Sequence, residues 1–327
     1  MKFNILKCHG SDNDFILINE YEELLFTEQQ RIILSKLFCD RNNSIGADGI
    51  LFFQTSDIAD GKMRMFNPDG SEAEMCGNGL RCIGRFACEL FDKNSVLIET
   101  LKGTSQIFKN TDIYSYIPTY QAELNTISLA SKKIPIIVDT ETLINQPFII
   151  DNFLFTAVSM PNPHLVAIVN DISDSELEKI GKLANQLPDK IPNGTNVNFC
   201  KIIDSNSIYV RTYERGVGLT NSCGSGMSAS SLVTCLLEHN SFNKPIDVYN
   251  YGGLVTCTPK RMDKDKYSVI LSGNATFVFS STIEFKFSNL TNITQYFGKV
   301  FTDEIQNYGR FIEYSTQKYS NILNNTR

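Results

Sequence analysis

The feature that most constrains this chain is that it is written twice. "MCGNGLRCIG" at 75–84 and "SCGSGMSASS" at 222–231 both place a cysteine before Gly-polar-Gly and then enter a segment of helical spacing. The match extends outward in order. "NDFILIN" (13–19) corresponds to "NPHLVAIVN" (162–170) at an offset of 149, and "GADGILF" (46–52) to "GTNVNFC" (194–200) at 148. "MFNPDGSEAEMCGNG" matches "TYERGVGLTNSCGSG" at 147, and "VLIETLKG" (96–103) aligns with "IDVYNYGG" (246–253) at 150. A period of this size is that of a domain, too long for a solenoid, so two similar domains are implied. The boundaries expected are 1–120 for a first domain carrying Cys76 and 121–270 for a second carrying Cys223. Residues 271–327 would return to the first domain and add a helical extension.

Within each half short strands alternate with a few helices. "KFNILK" and "DFILIN" read as strands, and Thr27 with Gln30 forms a capping box opening a helix. "RMFNPDGSEAEM" reads as a hairpin turned at Asn-Pro-Asp-Gly. After Cys76, Leu80, Ile83, Ala87 and Leu90 fall on one helical face. Ser173 and Glu176 suggest a second capping box ahead of Leu177, Ile180 and Leu183. The run after Cys223 is small and apolar, as a helix buried on most sides would be. The class is α+β, without strictly alternating βαβ units. Beyond about residue 280 the repeat stops. There Ile305, Tyr308, Ile312, Tyr319 and Ile322 form a helical stripe that packs on the body or on a partner.

Composition removes several functions. A net charge of −6 with no Lys/Arg cluster argues against a nucleic-acid surface. No apolar run approaches a bilayer span, and the N-terminus lacks a signal peptide's apolar core, so the chain is read as cytoplasmic. The nine cysteines are scattered and accompanied by only three histidines, which fits neither a disulfide framework nor a zinc cluster. Cys8, Cys39, Cys82, Cys88, Cys200, Cys235 and Cys257 read as small buried apolar residues.

Cys76 and Cys223 differ because each stands at a helix start. The first backbone N–H groups of a helix lack intrahelical partners and carry partial positive charge, which favours a thiolate and can hold a carboxylate. Two such turns on equivalent elements suggest facing thiols across a cleft between the domains, the arrangement for inverting a carbon centre with two bases. Donors from the helix N-termini would stabilise the substrate carboxylate as negative charge spreads into it. Neither a metal nor pyridoxal phosphate is called for.

These motifs resemble those of the diaminopimelate epimerase family, pyridoxal-phosphate-independent amino-acid epimerases. "MFNPDGSEAEMCGNGLRCIGRF" and "ERGVGLTNSCGSG" are similar to the two signature regions. "KCHGSDNDF", "CDRNNSIGADGIL", "VSMPNPH" and "GTNVNF" follow the family in order, over roughly residues 1–280. The resemblance implies two pseudo-symmetric domains, each a mixed β-barrel around a central helix, with the active site in the cleft, usually in a homodimer. It implies Cys76 and Cys223 as the acid/base pair and a small amino-acid substrate. Asn13, Asn67, Asn162 and Asn196 stand at substrate-binding positions, and Gly77, Asn78, Gly224 and Ser225 would cradle the α-carboxylate and amine. Glu214 and Arg215 match a Glu-Arg pair in which arginine grips the distal carboxylate, and His164 with Glu214 matches residues that tune the cysteines.

The chain departs from the family pattern at Ser225, Met227 and Asn221-Ser222, and carries Gly49 where some members have glutamine. Asn78 separates it from proline-racemase-like relatives, which carry histidine there. Three further readings stay open: a racemase for another amino acid, a cysteine hydrolase or transferase with Cys76 as nucleophile and His164 as base, and a binding protein on this scaffold.

Overall fold

The computed structural model describes residues 1–160, 162–263 and 266–325, without the side chains of Thr291 and 322–325. Two compact units emerge. One comprises Met1–Gln121 and Gly273–Phe311, the other Ala122–Ser272 and the stretch from Ile312 onward.

In the first unit the order is β1 (Lys2–Gly10), β2 (Asn13–Glu20), α1 (Glu28–Phe38), β3 (Gly49–Gln54), β4 (Gly61–Phe66), β5 (Glu72–Ala73), α2 (Gly77–Phe91), β6 (Ser95–Thr100) and β7 (Gly103–Asn110). β8 (Thr119–Leu124) and β9 (Gln146–Pro147) lead to the second series. That runs β10 (Leu154–Ser159), β11 (Pro163–Ile168), α3 (Asp174–Ala184), β12 (Asn196–Asp204), β13 (Ser207–Glu214), β14 (Gly218–Thr220), α4 (Gly224–Leu236), β15 (Ile246–Asn250) and β16 (Gly253–Asp263). The chain closes with β17 (Lys266–Asn274), β18 (Thr276–Lys286), β19 (Asn289–Val300) and α5 (Thr302–Asn325).

The pairings of the two series are the same step for step. β1–β2 is antiparallel, β2–β3 parallel, β3–β4 and β4–β5 antiparallel, β4–β6 parallel and β6–β7 antiparallel. β10–β11, β11–β12, β12–β13, β13–β14, β13–β15 and β15–β16 repeat that sequence of senses. The fold is therefore α+β, two pseudo-symmetric domains each with a mixed, barrel-like sheet around a central helix. α2 packs on β1, β2, β3, β4, β6 and β7, and α4 on β10, β11, β12, β13, β15 and β16.

Strand pairing corrects one sequence correspondence. Phe15 pairs with Gly49 and Leu51 with Met65, while His164 pairs with Asn196 and Asn198 with Thr212. Gly49 is thus equivalent to Asn196, an offset of 147 rather than 148. The difference matters because a slip of one residue exchanges the two faces of a strand.

Local expectations from the sequence meet mixed outcomes. Both halves of the Thr27–Gln30 capping box form. The hairpin turns where expected, Asn67 N–H reaching Ser71 O at 2.8 Å. Of the expected Ser173–Glu176 box one half forms among the described residues, Ser173 Oγ accepting from Glu176 N–H at 3.3 Å. The seven cysteines read as small apolar residues are all buried. Two stripes need correction. Leu90 is exposed, whereas Arg81 and Arg85 are buried, because α2 is surrounded by strands over its first turns and meets solvent only at its end. On α5, Ile305 is exposed and Phe311 fully buried, and the Ile322 side chain lies outside the described residues.

Buried arginines need partners inside the protein. Arg81 Nε donates to Asn274 O at 3.1 Å and its Nη2 to Ser11 Oγ at 3.1 Å. Arg85 makes a bidentate pair with Glu304 of α5 at 2.6 and 2.8 Å, donates to Ala275 O at 2.7 Å, and lies 3.7 Å from the Phe277 ring centroid. Glu304 also accepts from Phe277 N–H at 2.9 Å. The start of α5 is thereby fixed to α2, with Tyr308 edge-on to His9 and Phe311 beside Tyr114. Within the second unit, Tyr319 stacks on Tyr209 and Lys318 pairs with Asp247 at 3.0 Å.

Glu304→Gln keeps the shape but leaves the buried Arg85 charge with the half-exposed Glu89 as its counter-ion among the described residues. The expected cost is about 3 kcal/mol of unfolding free energy, read by urea denaturation. A loss below about 0.5 kcal/mol would show that α5 is not anchored through this pair.

Candidate functional site

Each cysteine of the repeat is the N-cap of its domain's central helix, in extended backbone conformation (φ −144° at Cys76, −120° at Cys223). The first i→i−4 bonds run from Leu80 N to Cys76 O (2.8 Å) and from Met227 N to Cys223 O (2.9 Å). The N–H groups of Gly77, Asn78, Gly224 and Ser225 therefore precede any intrahelical partner. Those four residues are all buried, as is Cys223, while Cys76 is half-buried.

In the first domain Cys76 Sγ accepts from Gly79 N–H at 3.4 Å and lies 3.9 Å from Asn13 Oδ1. Asn13 is oriented from behind: its Nδ2 donates to Asp48 Oδ2 at 2.7 Å, so Oδ1 is turned towards Cys76 and accepts from Asn78 Nδ2 at 3.2 Å. Arg41 grips both Asp14 (2.6 Å) and Asp48 (2.7 Å). Partial burial pushes the Asp14 carboxyl up, but Arg41 and Lys7 outweigh it and hold it below the usual carboxylate range. Asn67 belongs to a separate group, the β4–β5 turn, where its Nδ2 donates to Ser71 Oγ at 3.0 Å.

The second domain holds a denser network. Ser225 Oγ is 3.5 Å from Cys223 Sγ, 3.1 Å from Asn162 Nδ2 and 3.0 Å from His164 Nε2. Asn198 Nδ2 reaches His164 Nδ1 and Leu165 O, both at 3.1 Å, and Thr212 Oγ1 donates to Asn198 Oδ1 at 2.9 Å. Asn196 Nδ2 lies 3.5 Å from His164 Nε2, and its Oδ1 accepts from Arg215 N–H at 2.8 Å. Arg215 is exposed, its guanidinium on Asn193 O at 2.6 Å, and Glu214 accepts from Thr220 Oγ1 at 2.7 Å. The structure thus gathers Asn13, Cys76 and Asn78 in one domain. It gathers Asn162, His164, Asn196, Arg215, Cys223 and Ser225 in the other, with Glu214 on the adjoining β13–β14 hairpin.

Asp48, Asn198 and Thr212 were not singled out from the sequence. Asn198 had a signal: in "TNVNF" it falls two residues after Asn196, on the same face of a strand. The second turn glycine has a packing reason as well. A Cβ on Gly226 would sit 2.4 Å from Asn198 Oδ1 and 2.8 Å from Thr212 Oγ1, so only glycine lets α4 lie on that pair.

Asn78 Oδ1, in the first turn, and Asn162 Oδ1, beside the second, are buried and hold no hydrogen bond among the described residues. Leaving such acceptors unpaired costs about 1–3 kcal/mol each. Among the described residues no group of three or more His, Cys, Asp or Glu is placed to hold a metal ion, and no helix is long and apolar enough to cross a membrane.

Comparison with known proteins agrees with the resemblance read from the motifs. The profile of the family described as "Diaminopimelate epimerase" matches residues 5–115 and 156–278. A diaminopimelate epimerase of Clostridium acetobutylicum is 47% identical, covering 96% of this chain and 95% of the relative. One from Listeria monocytogenes is 40% identical over 88% and 90%. Among solved structures, a probable proline racemase from Agrobacterium radiobacter superposes with TM-score 0.63 at 13% identity, over 92% and 97% of the two chains. A PhzF-family phenazine biosynthesis protein of Bacillus anthracis does so with TM-score 0.62 at 14%, over 87% and 100%. At such identities these two likenesses speak for the fold alone.

Burial without a counter-charge holds the His164 imidazolium down to about 3, against an ordinary value of 6.5, and burial lowers His9 to about 4. The unfolded chain takes up protons near pH 6.5 that the folded chain refuses until well below. Stability should be full above that pH and fall on acidification, by about 2 kcal/mol per histidine between roughly pH 7 and pH 5. Urea titrations at the two pH values check this, and His164→Gln should remove about half of the loss.

Proposed function

The chain belongs to the diaminopimelate epimerase family and is an isomerase, and from that premise we propose that it interconverts LL- and meso-diaminopimelate without a cofactor, in the cytoplasm, supplying lysine or cell-wall precursor synthesis. The observation that carries this reading is the pair of cysteine N-caps on equivalent central helices of a duplicated fold.

In the proposed reaction one cysteine thiolate removes the α-proton: the C–H bond breaks and an S–H bond forms. The other cysteine's thiol delivers its proton to the opposite face of the carbon, which returns to the chain inverted. The α-hydrogen of an amino acid is weakly acidic, so the developing carbanion needs stabilisation from donors already in place. The N–H groups at the two helix starts are suited to the α-carboxylate. Asn78 Oδ1 and Asn162 Oδ1, both short of a donor, suit an α-ammonium group. Arg215, exposed and tethered by Asn193 and Asn196, would take the distal carboxylate, with Asn67 and Glu214 supporting substrate from the two equivalent hairpins.

The test is solvent deuterium entering the α-carbon of LL-diaminopimelate with formation of the meso isomer. Cys76→Ala and Cys223→Ala should each lower epimerisation by at least about 10³-fold, the scale of losing positioned acid–base catalysis. Full activity with either cysteine removed would defeat the two-base scheme. Faster inversion of a different amino acid in a chiral-separation panel would reassign the substrate. The assembly proposed is a homodimer, and sedimentation equilibrium should return twice the mass of the chain.

A further inference from the structure

The two cysteines occupy equivalent places but lie over different walls. Beneath the first turn the strand positions are Phe15, Leu51 and Met65; beneath the second, the equivalent positions are His164, Asn198 and Thr212. Gly79 would meet Leu51 where Gly226 would meet Asn198, so the same contact is apolar in one domain and polar in the other.

The polar wall sets the direction of the hydrogen bonds from Thr212 through Asn198 to His164. Asn198 Oδ1 is committed to the Thr212 hydroxyl, so its Nδ2 donates, to Leu165 O and to His164 Nδ1. A proton on Nδ1 would set N–H against N–H at 3.1 Å. The imidazole, neutral through the working range, therefore carries its proton on Nε2, where the opposing donor, Asn196 Nδ2, stands off at 3.5 Å. Nε2–H donates to Ser225 Oγ, and so does Asn162 Nδ2. A hydroxyl oxygen accepts two hydrogen bonds. With both taken, the Ser225 proton is left for Cys223 Sγ, 3.5 Å away. A hydroxyl donor stabilises a thiolate over a thiol.

On Cys76 the polarity is mixed. Gly79 N–H donates to its sulfur, but Asn13, oriented by Asp48, presents a carbonyl oxygen at 3.9 Å, which accepts from S–H.

We propose that the free enzyme rests with Cys223 as thiolate and Cys76 as thiol, and that Ser225, aligned by Asn162 and the His164–Asn198–Thr212 relay, is the positioning residue that sets this polarity. The inference rests on the two-base reading above. Ligand whose α-hydrogen faces Cys223 then meets an enzyme ready to react. Turnover leaves Cys223 as thiol and Cys76 as thiolate, and the resting state returns when a proton leaves Cys223 to solvent and one is taken up by Cys76.

The experiment follows iodoacetamide alkylation of each cysteine by peptide mass spectrometry across pH, comparing midpoints rather than rates so that slower reagent access to the more buried Cys223 does not enter. In the intact chain the Cys223 midpoint should lie at least about one pH unit below that of Cys76. Ser225→Ala should raise the Cys223 midpoint by about one unit and leave that of Cys76 in place, and Ser225→Thr should restore it. Asn198→Leu should shift Cys223 in the same direction as Ser225→Ala. Ultraviolet thiolate absorbance at neutral pH should fall in Ser225→Ala and recover in Ser225→Thr, a readout independent of reagent access. A lower midpoint at Cys76, equal midpoints, or a profile and absorbance indifferent to Ser225 would overturn the proposal. Epimerisation requiring both cysteines alongside such a result would leave the two-base reading standing.

Discussion

A helix enclosed by a sheet is the constraint on which the rest depends. Once α2 and α4 are surrounded by strands, the polar groups along them look for partners inside the protein, and their first N–H groups are left for other use. The two helices meet the demand differently. α4 is made of small residues whose hydroxyls bond back onto the helix, Ser228 to Gly224 O and Ser231 to Met227 O, both at 2.9 Å. α2 carries arginines and brings in Ser11, Asn274 and Glu304 as their partners. Either solution leaves a cysteine at the cap, where the helix field acts on sulfur.

Duplication preserved the backbone and released the side chains. The order of parallel and antiparallel pairings is the same in both domains, because changing it would require rebuilding the barrel. The inward-facing positions under the caps differ, Phe15, Leu51 and Met65 in one domain and His164, Asn198 and Thr212 in the other. An apolar wall supports a helix equally well, so the polar one is not needed for folding. Its members are mutually satisfied, which makes burial tolerable and gives every donor in it a single direction.

The chain beyond residue 278 lies past the family profile, yet the Clostridium acetobutylicum relative spans 96% of this chain. β18 pairs antiparallel with β1, and β19 extends that hairpin. Glu304 then joins α5 to the helix that carries Cys76, so a segment outside the shared profile contributes to the support of a candidate catalytic helix.

Much of this was legible in the sequence, for a physical reason. A duplication leaves an ordered series of offsets, and caps and tight turns are local chemistry, so the two domains, the Thr27 box, the Asn67 turn and both cysteine turns could be read from neighbours in the chain. Asn13, Asn162, His164 and Ser225 could be placed at a site, but not their partners. That Asp48 orients Asn13, that Arg81 and Arg85 point inward, and that Asn198 dictates the proton of His164 depend on residues brought together from strands and helices far apart in sequence. Spacing along a chain specifies which face of its own element a side chain occupies. What that face meets, and hence the direction of each hydrogen bond and the burial of each charge, is decided only when the sheet closes around the helix.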